Sequence, residues 1–181
     1  MPKTYFNKMI TGNSGMLGCI DERGGLVRLF WPDIDYFQHI DRLCVGIICT
    51  QLWQGAKWLD SPDWSVSQHY MEDTNIAVTC YENKHFGIKI TQADFAVPGR
   101  DVFERCYTVE NTGEFPITAG FAVYSSSVSS IHQPPGILFD EKLSALIHYR
   151  HDYYYSISSG EKAVQYQLGG NAHENASSGK Q

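Results

Sequence analysis

The chain has 181 residues, 43% hydrophobic and only 19% charged, with 14 Lys plus Arg against 20 Asp plus Glu and a net charge of −6. A disordered chain is excluded, because this much apolar surface can repay the entropy of ordering. The acidic balance, without a basic run, excludes the phosphate-neutralising surface of a nucleic-acid binder. No segment approaches the ~18 apolar residues of a membrane span, so no membrane partner is expected. Met1 to Ile10 lacks the apolar core of a secretory signal, which points to the cytoplasm.

In chain order, Gly12-Asn13-Ser14-Gly15-Met16-Leu17-Gly18 has the glycines of a phosphate loop but neither the Lys-Ser/Thr nor the helix that such a loop needs after them. A hairpin is predicted instead: Met16 to Ile20, a turn over Asp21 to Gly25, then Leu26 to Trp31. Further on, Ile76, Val78 and Cys80 alternate with Thr79 and Tyr81, and Phe86, Ile88 and Ile90 alternate with Lys89 and Thr91. Phe103, Tyr107 and Val109 keep the same period of two, and Ile117, Ala119, Phe121 and Val123 share a face. Turn chemistry punctuates these runs at Glu82 to His85, Pro98 to Asp101 and Asn111 to Glu114. Tyr153 to Ile157 adds a late strand, and no apolar stripe of helical period persists through three turns. The pattern predicts an all-β fold, an antiparallel β-sandwich, over residues 1–168. Residues 169–181, rich in Gly, Ser and Asn, read as a disordered tail or a truncated connection.

Candidate chemistry is sparse. The five cysteines (Cys19, Cys44, Cys49, Cys80, Cys106) have no metal-type spacing and read as buried free thiols in a reducing compartment. His148 and His151 are three apart, which on a strand sends them to opposite faces, so no metal site and no cofactor are expected. Ser125 to Ser130 lacks the Gly-x-Ser-x-Gly elbow of an esterase and reads as the polar end of a strand. Trp53, Trp58 and Trp64 stand close to Gln68, His69 and Tyr70. Flat indoles beside hydrogen-bonding groups suit sugar rings, so these six residues are candidates for glycan or domain contact; the same aromatics also suit a core.

Taken in order, Thr11 to Leu17, Ile20-Asp21-Glu22-Arg23-Gly24, Leu29-Phe30-Trp31-Pro32, Gln38-His39, Asp63-Trp64, Gln68-His69-Tyr70, Asp73-Thr74-Asn75, Asp94 to Pro98 and Val109 to Gly113 form a series. It resembles the amino-terminal domain of glycoside hydrolase family 15, the bacterial and archaeal glucoamylases, glucodextranases and related trehalases. The resemblance covers most of Thr11 to about Gly170. It implies a supersandwich-like domain, cut short here, that precedes a helical barrel carrying the two catalytic glutamates of an inverting hydrolase. That barrel has no counterpart in this sequence, so no catalytic residue is expected. The function implied is a non-catalytic accessory domain packing on and stabilising an α-glucan-hydrolysing catalytic domain. The alternative is a free-standing carbohydrate-binding module that uses the three tryptophans on α-glucan. A sandwich that stops early leaves strand edges uncovered, so a homodimer is also expected, with the late strands around Leu143 to Tyr149 and Tyr153 to Ile157 at the contact.

Overall fold

A computed structural model describes residues 6–128 and 135–180. Among these residues thirteen strands and one short helix succeed one another: β1 (Met9–Gly12), β2 (Leu17–Ile20), β3 (Leu26–Phe30), β4 (Ile40–Ile48), β5 (Ala56–Trp58), β6 (Ser65–Tyr70), β7 (Ala77–Asn83), β8 (Ile88–Ala96), β9 (Phe103–Asn111), β10 (Gly120–Ser127), β11 (Gly136–Asp140), β12 (Ala145–Arg150), β13 (Tyr153–Ile157) and α1 (Ala172–Ser178). Every strand pairing is antiparallel. The first sheet runs β1-β2-β3-β4-β10, with β5 also on β4; the second runs β6-β7-β8-β9; the third is the meander β11-β12-β13.

The first two sheets face one another, which is the expected β-sandwich. Their core has two parts. Ile20, Leu26, Leu29 and Leu43 of the first sheet meet Ala77 and Ala96 of the second. Val45 and Ile47 meet Tyr81, Ile88 and Ile90, with Leu59 and Trp64 closing the end. β8 shows why the alternation was so clear: Ile88, Ile90, Gln92, Asp94 and Ala96 point inward and are buried, while every residue between them is only partly so. The third sheet leans Tyr155 and Ile157 against the first part of the core.

Three expectations need correction. In β7 Ala77, Thr79, Tyr81 and Asn83 form the inward set, and of the apolar series Ile76, Val78 and Cys80 only Val78 is buried, because Tyr81 finds polar partners between the sheets. Over its described residues, 169–180, the tail is not structureless, since α1 docks Ala176 beside Cys44, Ala56, Trp58 and Tyr124 on the face of the first sheet opposite Val45 and Ile47. All five cysteines are free, yet only Cys19, Cys44 and Cys49 are buried, while Cys80 is half-buried and Cys106 exposed. Ser129, Ser130 and His132 lie outside the described residues.

Candidate functional site

The six candidate contact residues do not form one surface. Trp64 is 2% exposed and belongs to the core. Trp53 is half-buried, its ring 4.7 Å from that of Phe86 and its Nε1–H donating to the Ile47 carbonyl. Trp58 lies on the opposite face of the first sheet, under α1. A shared indole platform is therefore absent. His69 is exposed on β6, whereas its neighbours Gln68 and Tyr70 are structural: Gln68 Nε2 donates to the Asp21 carbonyl at 2.9 Å. The Tyr70 hydroxyl donates to the carbonyl of Ile10 and accepts from its N–H, each at 3.0 Å, occupying the free edge of β1. Asn75 Nδ2 donates to the Gly12 carbonyl at 2.7 Å and extends the tie. The motif residues on this side fasten β6 and the loop after it to β1.

Between the sheets lies a polar pin. Asp94 is fully buried and accepts from Arg105 Nε at 2.7 Å and from Gln92 Nε2 at 2.6 Å. Arg105 and Gln92 also donate to the Gly24 carbonyl, which brings the β2–β3 turn into the interior. The Tyr81 hydroxyl stands 3.0 Å from Gln92 Oε1 and 3.2 Å from the Arg23 carbonyl. This turn needs glycine: Gly24 has φ +78°, and a Cβ there would sit 1.8 Å from the Tyr81 oxygen. Burial works against the Arg105 charge, but Asp94 and its neighbours outweigh it and hold the guanidinium above its ordinary pKa. Asp21 is raised by burial and steadied by the N–H groups of Gly25 and Arg23. Buried Asp94 and half-buried Asp21 are thus both engaged in holding the turn and the interior.

A second buried network seats the third sheet. His148, 3% exposed, has Nε2 2.8 Å from Ser125 Oγ and Nδ1 2.7 Å from Ser127 Oγ, and Ser127 Oγ lies 2.7 Å from the Tyr155 hydroxyl. Tyr155 stacks on the imidazole with centroids 4.6 Å apart. Burial lowers the His148 pKa to about 4 and raises that of Tyr155 to about 12. The serine-rich end of β10, unremarkable in sequence, supplies this anchor. Nothing local in the sequence reveals it, because its partner is 23 residues away. Among the described residues no group of three or more His, Cys, Asp or Glu is placed to hold a metal ion, and no helix is long and apolar enough to cross a membrane.

The side of the sandwich formed by β9 and β10 is open. Each is the end strand of its sheet, and Tyr107 and Phe121 touch across the gap with ring centroids 5.3 Å apart. Their inward-phase residues are uncovered: Phe121 is 47% exposed beside fully buried Ile47, and Val109 is 37% exposed beside fully buried Ile90. Val123, in the same phase of β10 as Phe121, is 44% exposed, and the Tyr107 hydroxyl is buried without a hydrogen-bond partner among the described residues. A smaller apolar set, Leu138, Tyr149 and Tyr154, is exposed on the third sheet.

Fold and geometry together define an antiparallel sandwich domain with a built interior and one unfinished side. Known proteins give this architecture a context. No protein-family model matches the chain. Over 102 residues, 56% of its length, it is 29% identical to an uncharacterized glycosyl hydrolase of Methanocaldococcus jannaschii, of which the match covers 16%. Its fold is similar to part of a bacterial glucoamylase solved in complex with acarbose, with a TM-score of 0.67 over 84% of this chain and 23% of the glucoamylase, at 9% identity. The chain is thus similar in sequence to part of a glycosyl hydrolase and in fold to part of a bacterial glucoamylase. It spans under a quarter of either protein it matches.

Proposed function

We propose that the chain is a non-catalytic accessory domain of a glucoamylase-like glycoside hydrolase, packing on and stabilising a helical-barrel domain that hydrolyses α-glucan. The observation that carries this reading is the open side. Phe121, Val123 and Val109 leave apolar surface exposed where a sandwich would otherwise be closed, and such a surface marks a binding site. The commitment of Asp94 to the interior and of Asp21 to its own turn supports a scaffold rather than a catalyst. Sequence similarity to a glycosyl hydrolase supports the kind of partner.

In a solution that lacks this partner, the chain forms a homodimer, with the contact now assigned to the same side rather than to the late strands Leu143 to Tyr149 and Tyr153 to Ile157 that the sequence suggested. β10, with the sequence GFAVYSSS, has no charged residue or proline to guard its edge, and self-pairing across a two-fold axis opposes no like charges. Light scattering over a dilution series should give a dimer; a monomer at every concentration contradicts the pairing. Free thiols at all five cysteines favour a reducing compartment, the cytoplasm.

The accessory reading is tested by adding the purified chain to a separately produced helical-barrel domain from the same genome. The barrel's melting temperature should rise, and the chain alone should release no glucose from α-glucans. Glucose release that tracks the purified chain contradicts the reading.

A further inference from the structure

α1 covers an aromatic cleft. The His173 imidazole lies on the indole of Trp58 with centroids 4.4 Å apart and planes 14° from parallel, and Tyr124 meets that imidazole edge-on at 5.0 Å. Trp58 Nε1–H donates to Ser177 Oγ at 2.7 Å, and that hydroxyl donates to the His173 carbonyl at 2.7 Å. At the rim Arg42 and Asp60 pair at 2.6 Å, with the guanidinium 6.0 Å from the Tyr124 ring, and both charges act on His173. A flat indole floor, an aromatic wall, a carboxylate and a guanidinium are the groups that hold a sugar: ring C–H bonds lie on the indole, and hydroxyls reach the charged pair.

We propose that the cleft between Trp58 and Tyr124 is a saccharide-binding subsite, closed in this structure by α1, with the imidazole of His173 in the position a pyranose ring would take. The latch is built to be weak. α1 has seven residues, none of them buried and no side-chain cap at its start, and a helix this short is marginal without docking. His173 Nε2 is buried with no hydrogen-bond partner among the described residues, an uncompensated loss that opening relieves. The helix approaches closely only because residue 55 is glycine: with φ +72°, a Cβ there would lie 2.3 Å from the Ser177 carbonyl oxygen. The proposal stands on the cleft alone and does not depend on a catalytic partner.

The test uses the full chain in three forms: unmodified, His173→Ala with Ser177→Ala, and Gly55→Ala. Cleavage at Glu174 by a glutamate-specific protease reports opening of α1, and tryptophan fluorescence reports binding of maltotriose and of cellotriose. The opened variants should bind at least one of the two roughly tenfold or more tightly than the unmodified chain, since the apparent affinity rises with the fraction of open cleft. Asp60→Asn in the same background should weaken that binding. Variants that open, keep their melting transition and bind neither saccharide overturn the proposal. A helix that stays protected from cleavage in both variants overturns the latch. Failure to bind a catalytic domain would leave all these titrations unchanged, so the two readings fail separately.

Discussion

The two long sides of the sandwich are finished differently. On one, Tyr70 and Asn75 reach from β6 and the loop after it to fill the hydrogen bonds of β1, and Gln68 grips the turn after β2. On the other, β9 and β10 end their sheets with apolar residues turned inward yet 37% to 47% exposed. A side closed by its own side chains needs no partner, whereas an edge left with Phe121 and Val123 uncovered is stable only as far as something else covers it. The contrast separates residues that build the domain from residues that connect it.

The largest effect should come from the interior shared by both sides. Asp94→Ala strands the Arg105 guanidinium, 8% exposed, without its partner and should cost roughly 3 to 5 kcal/mol by denaturant titration. A loss below about 1 kcal/mol would show that the pin is incidental.

Acid should act next, and on the open side. His148 seats the third sheet on Ser125 and Ser127 of β10, and its folded pKa of about 4 lies below the ~6.5 of an unfolded histidine. The unfolded chain therefore takes up the proton first. Stability is complete above about pH 6.5 and falls as the pH drops toward about 4, by an amount of order 3 kcal/mol. Hydrogen exchange should show β11, β12 and β13 opening first, and His148→Gln should flatten this part of the profile. A profile unchanged by His148→Gln contradicts the assignment.

On the closed side, Tyr70→Phe removes both bonds to Ile10 and should cost about 1 kcal/mol, with faster amide exchange at β1. Unchanged exchange there would mean that water closes the edge equally well.

Much of the sandwich was legible because its strands obey a period of two and its turns use Asp, Asn and Gly. β8 and the β2–β3 hairpin stand where the alternation and the Asp21 to Gly25 turn put them. Alternation could not give the phase of β7, since Thr79 and Tyr81 face inward for hydrogen bonds made to residues far along the chain. The docking of α1 was equally hidden, because it rests on one indole 119 residues from Ser177. Of the candidate contacts, Gln68 and Tyr70 were found by motif, and each makes a tie within the chain. Of the predicted face Ile117, Ala119, Phe121 and Val123, only Phe121 and Val123 lie on β10; their exposure depends on which strand ends each sheet, and that is a property of topology.

Docking of a catalytic domain on the open side is tested most directly by one calorimetric titration. The chain and its Phe121→Ser, Val123→Glu variant are titrated into the helical-barrel domain of a glucoamylase-like hydrolase encoded in the same genome. Both side chains are more than 40% exposed, so the variant should keep the stability of the parent to within roughly 1 kcal/mol. The parent chain should bind saturably and one to one, and the variant at least tenfold more weakly. Equal binding by both chains, or no binding by the parent, would contradict docking at this side.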